Sequence, residues 1–170
     1  RGKMIKLIAL DVDGTLSDGK IYTDDKDNNL KAFDVKDGFA IAQWIKEGGI
    51  VAIITGKSSN IVQRRADELG IQEVAQGISN KVQEMEKLIA KLGITLDEVA
   101  YMGDDINDLG VMRMVKIAAA PKNSAAEVLE RVDFISNKNG GDGAVREFIE
   151  FLMKENGTWE NVINRFLNQK

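Results

Sequence analysis

Short apolar runs alternate along this chain with longer stretches whose apolar residues recur at helical spacing, and no other feature narrows the possible folds as far. The runs occupy residues 5–10, Ile50–Ile54, Val99–Met102 and 117–119, with weaker ones at Glu73–Ala75 and Phe134–Ile135. Ile50-Val51-Ala52-Ile53-Ile54 has no polar interruption and is mostly β-branched, the pattern of a strand covered on both faces. Between the runs, Val82, Met85, Leu88, Ile89 and Leu92 make an amphipathic stripe that Gly93 stops. Ile61, Val62, Ala66 and Leu69 repeat the device before Gly70. A further helix is predicted over Ala144–Asn156, opening a helical tail at about residues 144–169. This alternation predicts an α/β fold, a doubly wound, Rossmann-like parallel sheet with helices on both faces. The length of 170 residues suits one domain over 1–170. In such sheets ligands bind beyond the carboxyl ends of the strands.

One segment breaks the rhythm. At about residues 18–33, two strand-like pieces, 20–23 and 30–33, flank the polar run Asp24-Asp25-Lys26-Asp27-Asn28-Asn29. This predicts an inserted β-hairpin. An isolated hairpin is marginal in water, so it is expected to pack against something.

Composition then restricts the chemistry. The chain has no Cys and no His, which removes thiol nucleophiles, zinc–thiolate sites and every imidazole role. Carboxylates, lysines, hydroxyls and a hard cation are left. With 23 basic and 27 acidic side chains, net −4, there is no electrostatic basis for a nucleic-acid partner. No apolar run approaches the ~20 residues of a membrane span. The basic start, Arg1-Gly2-Lys3-Met4, lacks the apolar core and cleavage site of a signal peptide. Met4 is the expected natural start, and the expected location is the cytoplasm.

Four motifs lie where the predicted strands end. Asp11-Val12-Asp13-Gly14-Thr15 follows the first run. Residues two apart on extended chain point the same way, so Asp11 and Asp13 are expected to converge, with Gly14 allowing a sharp turn. An EF-hand does not fit, since Leu16 and Tyr22 stand where its Gly and Glu belong. Thr55-Gly56-Lys57-Ser58 follows Ile50–Ile54 and offers a hydroxyl, free N–H groups and a helix start to a phosphate. It is not a P-loop, whose earlier glycine would fall on Val51. Lys81 opens a helix, where its charge opposes the macrodipole. Gly103-Asp104-Asp105-Ile106-Asn107-Asp108 packs three carboxylates into five residues after Val99–Met102. Helix capping accounts for one or two of these, and a divalent cation accounts for all three. Together the motifs set Asp11, Asp13, Asp104, Asp105 and Asp108 with Lys81 and Thr55 on one rim. That many carboxylates would repel a phosphate unless a metal neutralised them, and the all-oxygen donor set points to Mg²⁺.

Asp-x-Asp-Gly-Thr, a strand ending in Thr, a Lys and Gly-Asp-Asp-x-x-Asp, in that order, resemble the haloacid dehalogenase (HAD) superfamily of phosphotransferases over essentially the whole chain. The resemblance implies that Asp11 attacks phosphorus in line and forms an aspartyl-phosphate. It implies that Asp13 protonates the leaving alkoxide and then deprotonates the hydrolytic water. Mg²⁺ would lie between the Asp11 carboxylate, the Asp13 backbone carbonyl and Asp104. Thr55 and Lys81 would hold phosphoryl oxygens, Asp108 would orient Lys81, and Asp105 would support the ligands or cap a helix.

Many members of the superfamily carry a mobile cap between these motifs. Here Asp11 and Thr55 are 44 residues apart and Lys81 and Asp104 are 23 apart, which leaves no room for one. Within the superfamily the chain resembles the capless phosphatases of 3-deoxy-D-manno-octulosonate 8-phosphate (KDO 8-phosphate). The matching stretches include Phe33-Asp34-Val35-Lys36-Asp37-Gly38, Gln76-Gly77 and Gly140-Gly141-Asp142-Gly143-Ala144-Val145-Arg146-Glu147. That likeness implies hydrolysis of a sugar-acid phosphate in bacterial lipopolysaccharide synthesis by a homotetramer. A neighbouring subunit, reached through the hairpin, would cover each open site. Asp34, Asp37, Gly38, Thr55, Gly56, Lys57 and Arg65, with Asp13 and Lys81, stand where the family meets its substrate. The chain departs from the family at Lys57, usually Arg, and at Ala42, another usual arginine. Lys57 keeps the charge but loses bidentate carboxylate recognition.

Three rivals follow. A phosphatase of a nine-carbon, sialic-type keto-acid 9-phosphate would share every motif, although such relatives tend to carry an acidic residue after Thr-Gly. A phospho-acceptor receiver domain also combines Asp, Thr, Lys and Mg²⁺ on a doubly wound sheet, but in a different motif order. An inactive scaffold would keep the rim for stability alone.

Overall fold

The computed structural model describes residues 3–170; Arg1 and Gly2 of the basic start lie outside them. In chain order the strands are β1 (Leu7–Leu10), β2 (Tyr22–Thr23), β3 (Asn29–Leu30), β4 (Ile50–Ile54), β5 (Glu73–Ala75), β6 (Val99–Met102), β7 (Ile117–Ala120) and β8 (Phe134–Ile135). The helices are α1 (Val35–Lys46), α2 (Asn60–Leu69), α3 (Lys81–Leu92), α4 (Leu109–Met114), α5 (Ala126–Leu129), α6 (Ala144–Asn156) and α7 (Trp159–Leu167). Six strands form one parallel sheet in the order β5-β4-β1-β6-β7-β8.

The apolar runs have a simple cause. Alternate residues of each central strand enter different cores. Ile8, Leu10, Val51, Ile53, Ala100 and Met102 pack with α1, α2, α6 and α7, while Leu7, Ala9, Ala52, Ile54, Val99 and Tyr101 pack with α3, α4 and α5. A strand covered on both faces cannot alternate apolar and polar residues. The expected α/β fold with helices on both faces is therefore what the chain adopts. Gly70 (φ 80°) and Gly93 (φ 67°) close α2 and α3 in the left-handed conformation, as their positions after the apolar stripes predict.

The hairpin is shorter than predicted. Only two residues pair on each side, Tyr22 with Leu30 and Thr23 with Asn29, because the polar run folds into its own turn. The Asp24 carboxylate accepts from the backbone N–H of Lys26 and Asn28, and Asp27 is left-handed at φ 58°. The root of the insertion is closed by an antiparallel bridge between Ser17 and Phe33. The helical tail breaks at Gly157 (φ 75°) into two helices. The second returns over α1 of its own chain, where the Arg165 guanidinium meets the Glu47 carboxylate at 2.7 Å.

The contact of α1 with α6 contains a buried carboxyl group. Asp37 is 1% exposed. Its Oδ1 accepts from the Arg146 N–H at 2.8 Å, while Oδ2 has no partner among the described residues. Burial, with Asp34 adding to it, pushes this carboxyl up to about 7 against the N–H groups of Arg146 and Gly143. Below its ordinary value of 3.8 the group is protonated both folded and unfolded. Above that, the folded state keeps a proton that the unfolded chain releases, so stability is lost as pH rises toward about 7. Asp37→Asn keeps an acceptor for Arg146 and cannot ionise. Its stability relative to the parent should grow between about pH 4 and about pH 8, by at most about 4 kcal/mol. Denaturant melts across that range measure the difference, and a gap that does not widen with pH contradicts the assignment.

Candidate active site

Parallel pairing sets Leu10 opposite Ile53 on one side and Met102 on the other. The residues that follow these strands therefore emerge side by side at one edge. The Asp11 N–H still donates to Met102 O at 3.0 Å, which fixes the start of the turn Val12–Leu16. Asp11 is 5% exposed. Gly14 carries φ 87° and presses so closely on Asp104 that a Cβ there would overlap its carboxylate. The turn from the first strand and the acidic loop after β6 thus meet in the way their sequence positions predict.

Lys81, at the first position of α3, is 5% exposed. Its ammonium lies 3.1 Å from Asp11 Oδ1 and 2.7 Å from Asp108 Oδ1, with Tyr101 Oη at 3.3 Å. Burial alone would lower this lysine, yet Asp11 and Asp108 together outweigh it and hold it above its usual range. Asp108 is fully buried. Its Oδ1 also accepts from the Tyr101 hydroxyl, and its Oδ2 accepts from the N–H of Asp104 and Asp105 at 3.0 and 3.1 Å. Both oxygens of Asp108 are therefore committed. Asp105 caps the short turn Ile106–Asp108 by accepting from the Ile106 N–H.

Carboxylate oxygens of Asp11, Asp104 and Asp108 can lie within 4.8 Å of one another. Burial pushes Asp11 up, with Asp108 adding to it, and burial together with Asp11 pushes Asp104 up. Asp104 Oδ1 is buried without a hydrogen-bond partner among the described residues. An orphaned carboxylate oxygen beside a second carboxylate is an unstable arrangement for two anions and a ready one for a hard cation. The donors are oxygens, so Asp11 and Asp104 fit Mg²⁺, whereas Asp108 has no free oxygen to give.

Asp13 lies two residues beyond Asp11, on the turn Val12–Leu16. Its side chain, 36% exposed, meets Lys31 at 2.6 Å. Thr55 is buried, with its N–H on Ala75 O and its carbonyl accepting from Ile78, and this holds the loop carrying Gly56 and Lys57 against Gly77. Asp13, Lys57 and the hairpin line a cleft of about 340 Å³. Asp34, Asp37, Gly38 and Arg65 gather elsewhere, around the start of α1. Asp34 caps that helix, accepting from the N–H of Lys36 and Asp37. Arg65 lies over the Phe33 ring, 5.7 Å from its centroid, and packs where Gly38 has no Cβ. Of the residues expected to meet the substrate, these four are engaged in packing and capping in the chain as described.

Four residues contribute in ways that their sequence positions do not name. Lys31 is one lysine in a polar hairpin. Tyr101 brings a hydroxyl to the strand face turned to α3. Gly140 and Gly141 support the turn from below: Gly141 N donates to Thr15 O at 3.1 Å, and a Cβ at Gly140 would overlap Gly14 O.

Residues 70–149 match the family model of haloacid dehalogenase-like hydrolases. The 3-deoxy-D-manno-octulosonate 8-phosphate phosphatase KdsC of Salmonella typhi is 40% identical over 157 residues, 92% of this chain and 84% of that protein. Among solved structures, the Moraxella catarrhalis 3-deoxy-D-manno-octulosonate 8-phosphate phosphatase, in complex with magnesium ion, phosphate ion and KDO, superposes with TM-score 0.93. It is 42% identical, covering 95% of this chain and 93% of that one. The cobalt-bound deoxy-D-mannose-octulosonate 8-phosphate phosphatase of Haemophilus influenzae superposes with TM-score 0.86 at 32% identity, covering 90% of each chain. With relatives of this identity spanning most of its length, and the same motifs gathered at one sheet edge, the chain belongs to the haloacid dehalogenase-like hydrolases, in the family of the 3-deoxy-D-manno-octulosonate 8-phosphate phosphatases.

Proposed function

We propose that the chain, read as one domain over residues 1–170, hydrolyses KDO 8-phosphate to KDO and phosphate. The observation that carries this reading is the buried Asp11, paired with Lys81 and beside the half-buried Asp104, in a chain 40% identical to a phosphatase of that substrate. Asp11 attacks phosphorus and becomes an aspartyl-phosphate as the bond to the sugar oxygen breaks. Asp13, on the solvent side, gives that oxygen a proton and later takes one from the water that cleaves the acyl phosphate. Lys81, fixed by Asp108 and Tyr101, and the Thr55 hydroxyl bind the phosphoryl oxygens. Asp11, Asp104 and the Asp13 carbonyl would hold Mg²⁺, which when bound offsets the charge of carboxylates and phosphate. Lys20 and Lys57 line the cleft as cations without an ion-pair partner among the described residues, while Lys31 is paired with Asp13, the cleft's one acidic residue, a lining suited to a sugar acid. A substrate of lipopolysaccharide synthesis belongs to the cytoplasm. No helix among the described residues is long and apolar enough to cross a membrane.

The cleft is open, and the residues around it support assembly as a homotetramer in which a neighbour covers each site. Ile21 is 79% exposed, Leu30 68% and Val35 82%, an apolar set on and beside a hairpin too small to be stable alone.

Asp11→Asn should lower kcat on KDO 8-phosphate about ten-thousandfold or more while circular dichroism shows a folded chain. Activity that survives this change contradicts the nucleophile assignment. EDTA should abolish turnover and Mg²⁺ restore it, with the eight-carbon substrate preferred over a nine-carbon 9-phosphate. Mg²⁺ at about a hundredfold excess over its Kd should stabilise the protein by about 2.7 kcal/mol. Asp104→Asn should remove that rise in Tm. Replacing Ile21 and Leu30 together by Ser should yield monomers in sedimentation with reduced kcat/KM. A fully active monomer at micromolar concentration contradicts the shared site.

A further inference from the structure

The hairpin root is joined to the turn that carries the two first-strand aspartates. Ser17 bridges Phe33, and its Oγ donates to Val12 O at 3.3 Å and accepts from Gly14 N at 3.4 Å. Two residues before Phe33, Lys31 returns over the turn and sets its ammonium 2.6 Å from Asp13 Oδ1. Its side chain is only 19% exposed. Lys20 and Lys57, the other cations of the cleft, make no ion pair among the described residues. Asp13 Oδ2 has no protein partner there either. The pair is too near solvent to contribute much stability. Its effect is directional, because a charge-assisted hydrogen bond fixes one oxygen of a carboxylate whose terminal torsion is otherwise broad.

We propose that Lys31 is the positioning residue for proton transfer, holding one oxygen of Asp13 so that the other faces the bond being broken. The proposal rests on the reading of Asp13 given above. The sugar oxygen leaves phosphorus with the bonding pair and takes its proton from Asp13 Oδ2, while Lys31 transfers no proton. A group acting through Asp13 has a signature that a packing residue lacks. Its loss must matter where the leaving oxygen needs a proton and far less where it does not. KDO 8-phosphate releases a poorly stabilised alkoxide, whereas p-nitrophenyl phosphate releases a stable phenolate.

Rapid-quench measurement of the first half-reaction on the Mg²⁺-loaded enzyme tests this with both substrates, using Lys31→Met, Lys31→Arg and Asp13→Asn. In Lys31→Met the rate of sugar release should fall at least about tenfold more than that of p-nitrophenolate. Substrate affinity should stay within about threefold of the parent. Lys31→Arg should recover most of the loss, with assembly size unchanged in both variants. Equal losses on the two substrates, or weaker binding at an unchanged first-half rate, overturn the proposal. Asp13→Asn separates the two levels of the argument. If it shows the substrate dependence and Lys31→Met does not, the role of Lys31 alone falls. If Asp13→Asn shows none, the reading of Asp13 falls and the proposal with it.

Discussion

Three carboxylates and one ammonium share the buried heart of this site, and their charges do not cancel. Fully ionised, Asp11, Asp104 and Asp108 would set three negative charges against the single positive charge of Lys81. Asp108 and Lys81 satisfy one another, with Tyr101 and two backbone N–H groups completing the set. What is left uncompensated is concentrated on Asp11 and Asp104, both pushed above the usual carboxylate range by burial. A dication matches that residue of charge in magnitude and hardness. The same imbalance would make the site inhospitable to a phosphate without one, so binding of metal and of substrate are linked through a single electrostatic constraint.

Maintaining two anions in contact requires the backbone around them to be rigid, and the glycines show how that is done. Gly14 is left-handed and lies under the Asp104 carboxylate with no space for a side chain. Gly140 lies against Gly14 in turn, and Gly141 donates to Thr15. The loop before α6, far away in sequence, is therefore the floor of the turn that carries Asp11 and Asp13. Asp37 secures that floor from the side by accepting from the Arg146 N–H at the start of α6. Asp37, which resemblance assigns to the substrate, thus also supports the turn that carries Asp11 and Asp13.

The sheet was legible because burial on both faces leaves nothing but apolar side chains in a strand. Ile50–Ile54, Val99–Met102 and Glu73–Ala75 have the predicted bounds. The meeting of Asp11 with Asp104 was legible too, since parallel strands deliver their ends to one edge. The hairpin was read too long because its polar turn competes for the backbone groups that a ladder would use. Direction was the harder quantity. Asp11 and Asp13 are two residues apart, and on a continuing strand they would point together. Asp11 pairs with Lys81 and Asp13 with Lys31, partners that their spacing does not name. Nothing in the local pattern distinguishes Lys31 from its neighbours, since its partner lies 18 residues away.

These different partners suit the division of labour proposed for the two aspartates. A nucleophile gains from a dry setting in which its charge is oriented by fixed groups, and Asp11 has that in Lys81 and the surrounding core. A group that exchanges protons with an alkoxide and then with water must face the cleft, as the half-exposed Asp13 does. The hairpin that follows closes the exposed side, joining Asp13 through Lys31 to the element that also bears the exposed Ile21 and Leu30. Among the described residues, the insertion thus links the chemistry at the sheet edge to an exposed apolar surface.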